Sequence, residues 1–154
     1  LKKAKDNDCL TILNPAPARK INENDFQLLD FFTPNETEAE YYLNKKIETN
    51  TDIKNAAKEF LNRGVKNIII TLGEKGIYFA NKNEEYFVDA LKLKDEVVDT
   101  TGAGDAFNGA FAVALANEHK YKDALIFANK VAGISTTRLG AASSMPTLKE
   151  VEEY

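Results

Sequence analysis

Residues 65–72 hold the unbroken β-branched run Ile68-Ile69-Ile70-Thr71, closed by Leu72 and opened by Val65. β-branched residues without polar alternation mark a strand covered on both faces, the habit of parallel strands packed under helices. Just before it, residues 51–63 place Ile53, Ala56, Ala57, Phe60 and Leu61 at the i, i+3, i+4, i+7, i+8 spacing of a one-sided helix, and Gly64 stands as its stop. A helix feeding a doubly covered strand predicts an α/β layout. Upstream, Cys9-Leu10-Thr11-Ile12-Leu13 reads as a buried strand ended by the loop Asn14-Pro15-Ala16-Pro17-Ala18. A weak turn around Phe26, Leu28 and Leu29 precedes a second short strand, Asp30-Phe31-Phe32-Thr33, and a helix that opens at Pro34 with acids in its first turn. Ile77-Tyr78-Phe79-Ala80 and Tyr86-Phe87-Val88 flank a polar segment and predict a hairpin at the sheet edge.

In the second half, Glu96-Val97-Val98 reads as a strand end and residues 106–116 as a buried Ala-rich helix. Residues 122–138 predict another long helix with Ala124, Leu125, Phe127, Ala128, Val131, Ala132 and Ile134 inward. Residues 139–146 make a small-residue loop, and Thr147-Leu148-Lys149-Glu150 has capping-box spacing for a terminal helix. The expectation is a single α/β domain over residues 1–154: a mainly parallel sheet, helices on both faces in three layers, one inserted edge hairpin.

Composition removes several function classes. Lys and Arg number 20 against 24 Asp and Glu, a formal net charge of -4 with the lysines dispersed, so no nucleic-acid surface is expected. No apolar run approaches the roughly 18 residues that span a bilayer, so no membrane partner is expected. Cys9 is the one cysteine; its apolar neighbours predict a buried core thiol, and a reducing, cytoplasmic compartment fits a chain without disulfides. The chain begins at Leu1, a hint that it is a piece of something longer.

The stretch Asp99-Thr100-Thr101-Gly102-Ala103-Gly104-Asp105-Ala106-Phe107-Asn108-Gly109 sits between the predicted strand end and the buried helix. The first N–H groups of a helix lack intrahelical partners and carry the positive end of its dipole, and glycines let a ligand approach the backbone; the stretch is a place to hold a phosphate. No Gly-Lys-Ser/Thr ending makes it a Walker loop, and Phe107 stands where a dinucleotide fingerprint needs its third glycine. The acid at Asp105 would repel a phosphate it merely held. Two readings remain open on spacing: Asp105 caps the helix, or it accepts a proton from a hydroxyl that attacks the phosphate. Asn35 and Glu38 have the spacing of a capping box, the reading the sequence alone favours; the same spacing puts an amide oxygen and a carboxylate on one helical face where they could hold the water shell of Mg²⁺. Asp99 has a strand-end Asx turn as its plain reading. Thr71-Leu72-Gly73-Glu74-Lys75-Gly76 follows the doubly covered strand, where open α/β sheets bind ligands. His119 lies in a polar connection without an acid or cysteine at useful spacing, and reads as a solvated loop residue.

The 99–109 stretch resembles, at every position, the C-terminal signature of the ribokinase-like (PfkB) family of carbohydrate kinases. Thr33-Pro34-Asn35-Glu36-Thr37-Glu38-Ala39 looks like that family's helix-opening motif, and Asn14-Pro15-Ala16-Pro17-Ala18 is similar to a segment typical of its ribose-phosphorylating branch. The likeness runs through essentially the whole chain and matches only the C-terminal half, or slightly more, of a family member. It implies transfer of the ATP γ-phosphate to the 5-hydroxyl of D-ribose, with Asp105 as base in contact with the sugar and the N–H groups of Gly102, Ala103, Gly104 and Asp105 as the anion hole. It further implies ATP contacts from Asn35, Thr71, Leu72, Gly73, Glu74, Lys75, Gly76, Gly104, Asp105 and Asn129, those of Glu74 and Lys75 through their backbone. Asn35 and Glu38 would hold Mg²⁺ through water. Asp99, Thr101, Ser135, Arg138 (by its carbonyl), Gly140 and Ser144 would hold a monovalent cation, K⁺. A homodimer formed through the N-terminal part belongs to the same expectation, and so do two alternatives: a nucleotide-binding fragment that is not catalytic alone, or another sugar or nucleoside kinase of the family.

Overall fold

In the computed structural model, which describes residues 1–154, the chain divides into two units, Leu1–Phe87 and Val88–Tyr154. The first unit opens with α1 (Lys2–Lys5) and β1 (Ile12–Leu13); a 3₁₀ turn (Glu23–Leu28) leads into β2 (Phe31–Phe32). Then come α2 (Glu36–Leu43), α3 (Asn50–Asn62), β3 (Asn67–Thr71), a 3₁₀ turn (Gly73–Lys75), β4 (Ile77–Asn81) and β5 (Glu85–Val88). The strands form one sheet in the order β1-β2-β3-β4-β5. β1, β2 and β3 run parallel, β4 is antiparallel to β3, and the β4–β5 hairpin forms the edge that the sequence predicts.

Register explains the isoleucine run. Phe32 pairs with Ile68, Ile68 with Ala80, and Ile70 with Tyr78, so these residues share one face. That face packs on Phe26, Ile53, Ala57 and Phe60, the last three from the predicted stripe of α3. The Phe60 ring meets Phe32 edge-on at 5.2 Å, and Phe26 meets Phe32 at 5.6 Å, arrangements worth about 0.5–1.5 kcal/mol each beyond area burial. Phe31, Ile69 and Phe79 point the other way and are also fully buried. α3 starts in a capping box between Thr49 and Asp52 and stops before Gly64, whose φ of 105° suits a residue without Cβ. At the start of β2, Asp30 binds Lys5 and Lys66 and accepts from Thr11 N at 2.9 Å and Thr11 Oγ1 at 3.0 Å. Burial pushes its carboxyl up, but the hydrogen bonds from Lys5, Lys66 and Thr11 together hold it well below the usual range.

The second unit holds α4 (Ala103–Ala116), α5 (Tyr121–Ser135), a 3₁₀ turn (Ala142–Ser144) and α6 (Leu148–Glu153). α4 and α5 pack together. Their buried residues include Ala106, Ala110 and Ala114 on one and Ala124 and Ala128 on the other, small side chains that permit close approach.

Three local expectations are corrected. Cys9 is exposed, not a core thiol. Its N–H closes the turn after α1 onto the Ala4 carbonyl at 2.9 Å, and sheet-side bonding begins only at Thr11, which leaves Leu10 52% exposed. Glu96-Val97-Val98 forms no strand: Val98 N–H and Asp99 N–H both donate to the Thr136 carbonyl, at 2.8 and 3.1 Å, so their partner is a helix end. α5 stops at Ser135 rather than 138, where the hydroxyls of Thr136 and Thr137 turn back onto the Gly133 and Ile134 carbonyls.

Candidate functional site

Because β2 and β3 are parallel, their carboxyl ends lie side by side, where ligands of open α/β sheets gather. Pairing continues past β2: Thr71 N–H donates to the Pro34 carbonyl at 3.0 Å and Asn35 bridges Thr71. The structure thereby brings Asn35 and Glu38 to the loop of residues 71–76. The capping box at α2 is built, with Asn35 Oδ1 accepting from Glu38 N at 2.8 Å and Glu38 Oε2 accepting from Asn35 N at 2.9 Å. Glu38 is 8% exposed, and its second carboxylate oxygen lies outside the box. Hard oxygen donors of this kind suit Mg²⁺ and its water shell. In the loop, Leu72 N–H donates to the Gly76 carbonyl at 2.8 Å, and Gly73 and Gly76 take φ of 58° and 92°. Gly73, Glu74 and Lys75 are exposed.

In the second unit α4 begins at Ala103, three residues earlier than expected, so Gly104 and Asp105 are the second and third residues of the helix. Gly102 is its N-cap, at φ 79°, and offers no side chain. Ala103 N–H donates to the Thr100 carbonyl at 3.2 Å, whereas the N–H groups of Gly104 and Asp105 have neither an intrahelical partner nor a side-chain cap. Asp105 occupies N3, the position from which Glu38, Asp52 and Glu150 close capping boxes in α2, α3 and α6. With glycine at the N-cap no box forms, and the capping reading of Asp105 is not what the helix builds. Its carboxylate is exposed at the positive end of a 14-residue helix. Such an end can bind an oxyanion on its N–H groups, with a proton acceptor beside them.

Around this turn Asp99 makes the Asx turn, Oδ1 accepting from Thr101 N at 2.9 Å, while Oδ2 accepts from Gly140 N at 2.9 Å. Hydrogen bonds from Thr101 and then Gly140 hold its carboxyl below the usual range. Ser135 and Ser144 are buried, and their hydroxyls donate to the carbonyls of Ala132 at 2.8 Å and Ala141 at 2.7 Å. Asp99, Thr101 and Gly140 therefore form one cluster, whereas the two serine hydroxyls donate within their own turns. The expected donors are all oxygens, the chemistry a hard cation requires. Asn129 donates from Nδ2 to the Asp89 carbonyl at 2.7 Å, which leaves its Oδ1 for a ligand. His119 is exposed in the α4–α5 connection, as expected. One participant escapes the sequence reading: Glu150, seen there only as a cap residue, also binds the Arg138 guanidinium at 2.7 Å.

The model of the pfkB family of carbohydrate kinases matches residues 1–148, and the chain belongs to that family. The ribokinase of Staphylococcus aureus (strain COL) is 40% identical over 151 residues, covering 97% of this chain and 49% of that protein. The solved structure of ribokinase from Thermotoga maritima is 46% identical with a TM-score of 0.88, covering 99% of this chain and 51% of that one. Arabidopsis thaliana ribokinase complexed with ribose and ATP is 32% identical with a TM-score of 0.92, covering 99% and 49%. The α/β fold with a mostly parallel sheet is thus shared with these structures, and the chain spans about half the length of the curated relatives it matches. No helix is long and apolar enough to cross a membrane.

Proposed function

We propose that these residues carry the nucleotide-binding and phosphoryl-transfer half of an ATP-dependent sugar kinase, with the 5-hydroxyl of ribose as acceptor. The observation that supports this most is the start of α4: free N–H groups at Gly104 and Asp105, and an acid at N3 that caps nothing. In this reading the Asp105 carboxylate takes the proton of the sugar hydroxyl as its oxygen bonds to the γ-phosphorus, and the bond from phosphorus to the β,γ-bridging oxygen breaks to release ADP. Within the proposed anion hole of residues 102–105, the free N–H groups of Gly104 and Asp105 stabilise the charge on the transferring group, an effect of about 3–4 kcal/mol for a preorganised donor. The first unit contributes nucleotide contacts from residues 71–76, and Asn35 and Glu38 hold Mg²⁺ through water. Mg²⁺ neutralises phosphate charge when bound. In the second unit Asn129 is assigned to the nucleotide, and Asp99, Thr101, Ser135, Arg138, Gly140 and Ser144 to a monovalent cation, K⁺. A cytoplasmic location and a homodimer through residues outside these 154 go with this reading.

A second reading, nucleotide binding without catalytic competence in this chain alone, is favoured by the half-length match to the relatives. Phosphorus NMR of the full-length protein with Mg²⁺, ATP and ribose tests the first: a ribose phosphomonoester resonance and ADP are expected, and consumption of no ribose contradicts the acceptor. Calorimetry on residues 1–154 tests the second, which expects heat with ATP and none with ribose.

A further inference from the structure

The loop of residues 138–147 is closed by a single carboxylate. Glu150 Oε1 accepts from Arg138 at the loop's start, at 2.7 Å, and Oε2 accepts from Thr147 N at 2.7 Å and Thr147 Oγ1 at 2.9 Å at its end. Within the loop, Gly140 N–H donates to Asp99 Oδ2 at 2.9 Å. Ala141 lies so close to Gly102 that a Cβ there would stand 3.1 Å from the alanine Cβ and 3.2 Å from its Cα. The loop thus braces the turn before α4 at two points, Asp99 and Gly102. Asp99 in turn accepts from Thr101 N at 2.9 Å, one residue before the N-cap.

We infer that Glu150 is a positioning residue for phosphoryl transfer: by stapling both ends of the 138–147 loop it holds Asp99 and Gly102, and so the N–H groups at the start of α4, in place. Arg138 is the partner that gives this staple its reach, a role for the guanidinium separate from its carbonyl. The ion pair is half exposed, with side chains 38% and 41% accessible, so it adds little to global stability. Its effect is geometric. Displacement of reacting groups by a fraction of an ångström lowers turnover without removing a catalytic group.

The catalytic part of this inference rests on the phosphoryl-transfer reading proposed above; the staple itself does not. Glu150→Gln separates its two functions, because glutamine at N3 still completes a capping box, while the ion pair is lost. In the full-length protein, amide exchange at Gly140 and Thr101 should quicken about tenfold in Glu150→Gln and in Arg138→Met, less in Arg138→Lys, with amides of α3 and β3 unchanged. Turnover with ATP and ribose should fall about three- to tenfold with the sugar KM held. Unchanged exchange at Gly140 and Thr101 would overturn the staple, and quickened exchange with wild-type turnover would overturn its positioning role. If the wild type transfers nothing to ribose, the kinase reading fails by itself; calorimetry with ATP then decides the positioning role, weaker binding in Glu150→Gln supporting it and equal binding overturning it.

Discussion

Gly102 meets two demands that no other residue type meets together. Its φ of 79° lies in the left-handed region, and a Cβ would press on Ala141 at 3.1 Å. Gly102→Ala should therefore lower unfolding free energy by about 1–2 kcal/mol, the usual cost of a left-handed conformation for a residue with a Cβ, before any strain on the loop. Denaturant titration of wild type and variant measures it, and an unchanged midpoint would contradict the backbone cost at this position. The same glycine decides how Asp105 is read. Spacing leaves a cap and a base equally open, and with glycine at the N-cap no capping box forms, which supports the proposed base. No capping box forms at this helix, so Asp105 does not take the role that Glu38, Asp52 and Glu150 take at theirs.

Helix starts are the elements the sequence describes best. Asn35 with Glu38 and Thr147 with Glu150 form the capping boxes their spacing announces, since both partners lie within one turn and need no tertiary information. At α2 the box and the metal reading draw on the same two side chains, and one substitution separates them. Glu38→Gln retains a capping-competent amide, so stability should change by no more than about 0.5 kcal/mol. The Mg²⁺ concentration for half-maximal turnover should rise severalfold as a charged oxygen donor is lost, read by titrating Mg²⁺ at fixed ATP. An identical Mg²⁺ curve would leave Glu38 a cap alone. Elements whose partners are distant in sequence were less legible. Val97 and Val98 have strand propensity, but Val98 N–H goes to Thr136 across the second unit. Cys9 and Leu10 were misread for a different, local reason: they have core composition, yet the turn onto Ala4, five residues back, holds the thiol in solvent. The Arg138–Glu150 pair spans 12 residues with no local pattern to announce it.

At the scale of the molecule, parallel pairing of β2 with β3 is what sets Asn35 beside Thr71, and the isoleucine run made that pairing predictable through burial on both faces. The start of α4, proposed to hold phosphate, belongs to the second unit and was legible as a motif, because glycine spacing and an acid report local backbone demands. The substrate was not legible in the same way: the chain spans about half of its curated relatives, and its sugar assignment rests on likeness rather than on contacting side chains. In the proposed mechanism Asp105 takes a proton rather than shaping the backbone. Its most direct test is Asp105→Asn in the full-length protein, with turnover and calorimetric ATP affinity measured on the same preparation. Turnover should fall by about 10²–10⁴ with ATP affinity held within about twofold; turnover close to wild type would contradict proton transfer to Asp105.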